Sequence, residues 1–92
     1  MTEAVQPVIH AEASLREKEI QDWLTLSISR LIHVDPSDLD VNVSFDRYGL
    51  DSAAAVELTG DLERWLGRKL TPTLFYDYLT IRAVSAYLAV AG

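Results

Sequence analysis

The chain has 92 residues and a mass of 10.3 kDa, enough for one small domain, and carries 8 Lys+Arg against 14 Asp+Glu for a net charge of −6. Hydrophobic residues make up 49% and charged residues 24%, the balance of a folded globular protein rather than a disordered one. The acidity argues against a nucleic-acid backbone as partner, which needs clustered Lys and Arg, and the absence of cysteine excludes disulfides and Cys-ligated zinc.

Residues 1–13 hold Pro7 and scattered small or polar residues without clear periodicity, which predicts a flexible leader before a domain over 14–92. They show no basic n-region and no apolar h-region. No run approaches the roughly 20 apolar residues that span a bilayer. The expectation is a cytoplasmic protein without a membrane segment.

Ser14 and Glu17 fit a capping box, so the first helix is expected over about 15–33. Ile20, Trp23, Leu24, Ser27, Ile28, Leu31 and Ile32 recur at three- and four-residue steps and form its inner stripe. Pro36 forbids a smooth continuation. Residues 35–51 then form a long connection with five Asp and one Arg, tied down by Leu39, Val41, Val43, Phe45 and Leu50. Gly49 breaks the chain, Asp51 is a good N-cap, and Ser52 enters the first turn of a helix over about 52–66. Ala55, Leu58, Leu62, Trp65 and Leu66 make that helix's inner face, and Gly67 follows as its C-cap. Thr71-Pro72-Thr73 is a turn, Leu74 to Tyr78 can form one helical turn, and Thr80 caps a last helix with Ile81, Val84 and Leu88 inward. The sum is an all-α four-helix bundle with a long first loop and a short third helix.

The informative segment is Tyr48-Gly49-Leu50-Asp51-Ser52, which sets a primary hydroxyl at a helix N-terminus. A phosphate attached there meets the positive end of the helix dipole and free backbone N–H groups. A catalytic nucleophile needs a base within reach. The only histidines are His10, in the leader, and His33, at the end of the first helix. The segment also lacks the Gly-x-Ser-x-Gly pattern of a nucleophile elbow. If Ser52 reacts, another protein must activate it. Asp35, Asp38 and Asp40 do not continue into a calcium-binding loop with its central Gly and final Glu, so no metal site is expected. Arg64, Arg68 and Lys69 read as a solvated helix end, and both tryptophans as core.

These residues resemble the acyl carrier protein domains of polyketide and fatty acid synthases, over about residues 17–90. Gly49-Leu50-Asp51-Ser52 looks like the family's Gly-x-Asp-Ser attachment motif. Ala55-Val56-Glu57-Leu58 follows, then Leu62-Glu63-Arg64-Trp65-Leu66-Gly67, then Leu70 to Ile81 across the third and fourth helices. The resemblance implies that a separate phosphopantetheinyl transferase attaches 4′-phosphopantetheine from coenzyme A to Ser52, with Asp51 as the flanking motif residue. The arm's thiol then carries an acyl group as a thioester, and the monomeric chain shuttles it without catalysing.

Further implied partners are an acyl-loading enzyme, such as a fatty acyl-AMP ligase or an acyltransferase, and a ketosynthase or other synthase domain. Ala53, Val56 and Glu57 are the expected partner-binding residues, with Val56 off the core stripe. Two positions depart from the family pattern: Ala53 stands where a larger apolar residue is usual, and Leu79 where proline is frequent. Asp51 favours acyl carriers over peptidyl carriers, which more often have Gly-Gly-x-Ser. Leu58 to Leu62 together with Pro72 to Tyr78 looks like carriers that work beside fatty acyl-AMP ligases. A peptidyl or aryl carrier, or a plain helical interaction module in which Ser52 only starts a helix, are the alternatives.

Overall fold

The computed structural model describes residues 5–91, with side chains described over 15–90. It is all-helical: α1 spans Val5–Ile32, α2 Ser52–Leu66, α3 Leu74–Asp77 and α4 Ile81–Ala91. The expected four-helix architecture, long first loop and short third helix are all present. No helix among the described residues is long and apolar enough to cross a membrane.

The start of α1 corrects the sequence reading. The helix begins at Val5 rather than beside Ser14, so the Ser14–Glu17 pair lies inside it and not at its start. Of the leader 1–13, residues 1–4 lie outside the described residues. Apolar periodicity in the sequence did not mark this first stretch; among the described side chains Ile20 is the first that is buried, and Leu15 is exposed. Pro7 falls in the first turn, where its missing N–H has no intrahelical acceptor to lose. The end of α1 is as expected. His33 takes the left-handed conformation at φ 60, and the Val34 N–H reaches the Ser29 carbonyl at 3.1 Å, a Schellman closure.

One core joins all the elements. Ile20, Leu24 and Ile28 of α1 meet Ala55, Leu58 and Leu62 of α2, Leu74 and Phe75 of α3, and Ile81, Val84 and Leu88 of α4. The most extensive helix contact is α1 on α4. Burying such side chains is worth roughly 1.5–3 kcal/mol each, the main stabilising term in a chain without disulfides. The two buried serines and Thr59 keep this interior satisfied: Ser29, Thr59 and Ser85 donate to the carbonyls of Leu26, Ala55 and Ile81, each at 2.8 Å.

Two side chains differ from expectation. Trp65 remains 45% exposed, because its indole lies flat against that of Trp23, with centroids 5.2 Å apart and planes at 13°, instead of entering the core. Arg68 is half-buried rather than solvated and donates from Nη2 to the Leu88 carbonyl at 3.2 Å, tying the end of α2 to α4.

Candidate functional site

The loop that delivers the serine is ordered by hydrogen bonds as well as by apolar anchors. Asp35 caps a 3₁₀ turn over Pro36–Asp38, accepting from the Ser37 hydroxyl at 2.7 Å and the Ser37 N–H at 2.9 Å. These two bonds, the hydroxyl's first, hold the Asp35 carboxyl below the ordinary aspartate value. The Tyr48 hydroxyl grips Asp40, donating to its carbonyl and accepting its N–H at 2.7 Å. The backbone N–H of Arg82, at the start of α4, donates to the Val41 carbonyl at 2.9 Å, and its Nε donates to Asn42 Oδ1 at 2.8 Å. Phe45, Leu39, Val41 and Leu50 then seat the loop on the core, as the sequence predicts. Val43 is half-buried. No strand forms here; the one extended pairing is a single bridge between Ser44 and Thr80.

A second 3₁₀ turn, Phe45–Tyr48, ends at Gly49 with φ 77. That left-handed turn redirects the chain so that Leu50 packs inward and Asp51 starts α2. Only glycine adopts such a φ without strain.

At the junction Asp51 is the N-cap, its Oδ1 accepting the Ala54 N–H at 2.9 Å, while its carbonyl accepts the Ala55 N–H at 2.9 Å. The capping task therefore falls to Asp51. Ser52 is the first helical residue, and its side chain is exposed. The amides of Ser52 and Ala53, the first two of the helix, have no intrahelical acceptor and sit at the positive end of the α2 dipole. An anionic phosphodiester on the Ser52 oxygen would suit this place, where free amides at a helix start favour negative charge and solvent gives room.

Around the junction the structure gathers the residues singled out from sequence. Ala53, Val56 and Glu57 are all exposed, and Val56 reaches 66% exposure, large for an apolar side chain. Ser52, Val56 and Glu57 occupy the first two turns of α2; Val56, four residues on, lies on the same side as Ser52, and Glu57 is about 100° further round. No histidine lies on α2, and His33 closes the far element α1. No group of three His, Asp or Glu able to hold a metal occurs among the described residues.

The residues that sequence reasoning missed are the loop's fasteners: Tyr48 on Asp40, Arg82 on Asn42, and the Leu79 carbonyl on the Phe45 N–H at 2.9 Å. Two of these join positions far apart in the chain and leave no periodic trace in it. Tyr48, next to the motif, was the only available signal.

A model of the family described as "Phosphopantetheine attachment site" matches residues 22–88. The polyketide synthase PksN of Bacillus subtilis is 34% identical over 70 residues, covering 76% of this chain and 1% of PksN. The acyl carrier protein TtuC of Teredinibacter turnerae is 31% identical over 87 residues, covering 95% of this chain and 93% of TtuC. Among solved structures, a free-standing peptidyl carrier protein from Acinetobacter baumannii superposes with a TM-score of 0.78 at 33% identity, covering 82% of this chain and 94% of that one. The chain thus spans nearly the whole of single-domain carriers and a very small part of the synthase it matches.

Proposed function

The chain belongs to the phosphopantetheine attachment-site family of carrier domains, and from that premise we propose that Ser52 is the residue that receives the arm. The role of the family is to hold acyl groups on covalently bound 4′-phosphopantetheine. One observation carries the assignment to Ser52: Asp51 performs the capping, so the adjoining hydroxyl is left exposed at the positive end of a 15-residue helix. When bound, the arm supplies the terminal thiol that this cysteine-free chain lacks.

The chain's own residues have three tasks. The Ser52 hydroxyl attacks the diphosphate of coenzyme A at the phosphorus that bears the pantetheine. Its proton passes to a base on the transferase, a new P–O bond forms at Ser52, and adenosine 3′,5′-bisphosphate leaves with the electron pair of the broken P–O bond. Asp51 holds the first turn in shape while this happens. The Ser52 and Ala53 amides then stabilise the phosphodiester charge. No histidine lies on α2, and the Asp51 carboxylate beside Ser52 is engaged by the Ala54 N–H, which supports a carrier that an outside enzyme activates.

Ala53, Val56 and Glu57 form the proposed face for that enzyme and for the acyl-loading and synthase enzymes that act on the arm. Exposure of an apolar Val beside an attachment point favours a docking contact. A fatty acyl-AMP ligase delivering an apolar acyl chain is the proposed loader, on the likeness of Leu58 to Leu62 and Pro72 to Tyr78 to carriers of that class.

Intact-mass measurement after incubation with coenzyme A, magnesium and a broad-specificity transferase tests the assignment. A gain of one phosphopantetheinyl group is expected, and no gain refutes it. Medium-chain fatty acid, ATP and an acyl-AMP ligase should then acylate the modified protein. Malonyl loading by an acyltransferase, without ligase-dependent acylation, refutes the choice of loader alone.

A further inference from the structure

The basic residues that follow α2 have no part in the site at Ser52. Arg68 and Lys69 lie just past the Gly67 cap, at the opposite end of a helix whose first and last residues stand about 21 Å apart along its axis. They border a pocket of about 240 Å³, walled by Leu70, Leu74, Tyr87 and Leu88.

Fixed contacts hold these walls. The Leu70 N–H donates to Glu63 Oε2 at 2.8 Å. The Tyr87 ring is stacked on Tyr78, with centroids 4.4 Å apart and planes at 18°. Leu74 and Leu88 belong to the core. The Arg68 guanidinium is anchored through Nη2 on the Leu88 carbonyl at 3.2 Å, which uses one arm of a fork of five N–H donors. The neighbouring carboxylates are engaged elsewhere: Glu63 takes the Leu70 N–H, and Asp61 pairs with Arg64. Among the described residues no carboxylate forms an ion pair with Arg68 or Lys69.

Two properties define what fits. The walls are apolar, and the volume lies below the roughly 300–1,000 Å³ of small-ligand sites, so the pocket suits an inserted side chain better than a cofactor-sized molecule. The rim is cationic, in a chain whose net charge is −6. The acidic remainder of the surface repels an acidic partner, so such a partner is directed to this end. We propose that the pocket docks an acidic segment of a partner protein, with an apolar side chain among Leu70, Leu74 and Tyr87 and flanking carboxylates on Arg68 and Lys69. This contact holds the chain by the end away from Ser52 and leaves the serine open to an enzyme at the same time.

The test titrates the ¹⁵N-labelled protein with the capped peptide Glu-Leu-Glu-Glu-Leu-Glu and follows backbone amides by NMR. Arg68, Lys69, Leu70 and Tyr87 should shift, Ser52 and Ala53 should not, and added salt should weaken the binding. Glu-Gly-Glu-Glu-Gly-Glu should bind about tenfold more weakly, the scale of one lost apolar side chain. Lys-Leu-Lys-Lys-Leu-Lys should leave the four residues unmoved. Lys69→Glu alters an exposed position, so it should keep the parent's Tm and weaken binding about fivefold. Saturating peptide should leave the rate of arm attachment by a phosphopantetheinyl transferase, read by intact mass, unaltered. Absence of shifts at this end, shifts centred elsewhere, equal binding of either control peptide, an unaffected Lys69→Glu or a blocked transferase each overturns the proposal. So does octanoate matching the peptide in shifts and affinity, which makes the pocket a small-amphiphile site, or movement of the same residues on concentrating the protein alone, which gives it to a second copy. A protein that binds the peptide but accepts no arm refutes the assignment of Ser52 and leaves this docking site standing.

Discussion

The backbone N–H of Phe45 donates to the carbonyl of Leu79 at 2.9 Å, and this bond joins the loop before the serine to the turn before the last helix. Phe45 drops from it into the core, where its ring meets Phe75 edge-on at 5.2 Å. The site is thus hung between α3 and α4 rather than on a free loop.

Leu79 enters this junction only as an acceptor, through its carbonyl, which bears on the family's frequent proline at the same place. Tyr78 has φ −126 and ψ 111, the extended conformation that a residue before proline prefers. Leu79 is itself 54% exposed. Leu79→Pro should therefore keep the Phe45 bond and the fold, with a gain of about 0.4–1 kcal/mol from a stiffer unfolded chain. Urea denaturation measures it, and a clear loss of stability would show that the turn needs the leucine N–H or its φ.

Ser52→Ala should abolish attachment of the arm, read by intact mass, while leaving the far-ultraviolet circular dichroism and Tm close to the parent's. The cap belongs to Asp51, so the serine hydroxyl contributes little to the helix. Asp51→Ala should show the converse weighting in stability, with a loss of about 0.5–2 kcal/mol.

Val56→Asp and Glu57→Lys both alter exposed positions one turn beyond Ser52. Each should slow transfer to and from the arm without lowering Tm appreciably, since surface changes of this kind stay within about 0.5 kcal/mol. Single-turnover loading assays with the folded variants decide the matter. Parent-like rates for both would remove this face from partner recognition.

Two glycines should respond to alanine in opposite directions. At Gly49, with φ 77, alanine meets no neighbour but is forced into the left-handed region, a cost of about 1–2 kcal/mol. At Gly60, inside α2 and free of clash, alanine should add about 0.8–1.0 kcal/mol of helix stability. Paired chemical denaturation curves test the contrast.

Asp35 has its carboxyl held down by the Ser37 hydroxyl and N–H, so its folded-state value lies below its unfolded one. Its contribution to stability is present above the unfolded value and fades as pH falls through the folded one. A carboxyl titration followed by NMR should place its midpoint below 3.8, and Ser37→Ala should raise it.

The order of the helices, most of their inner faces and the location of the proposed attachment hydroxyl were legible in the chain itself. Apolar residues at helical spacing report burial directly, as Ile20, Leu24 and Ile28 or Leu58 and Leu62 do. Asp51 and Gly67 act on the residues next to them, so their caps needed no tertiary information. Other features belong to the folded state alone. The early start of α1, at Val5, showed no clear apolar period in the sequence. Trp65 sits on the inward stripe by spacing, yet its position depends on the Trp23 ring across the helix interface. Arg82 reaches Asn42, and Phe45 reaches Leu79, across long stretches of chain. Such pairs form only once the bundle has brought distant segments together. Local chemistry therefore marked the serine and its helix, and long-range packing decided how the loop presents it.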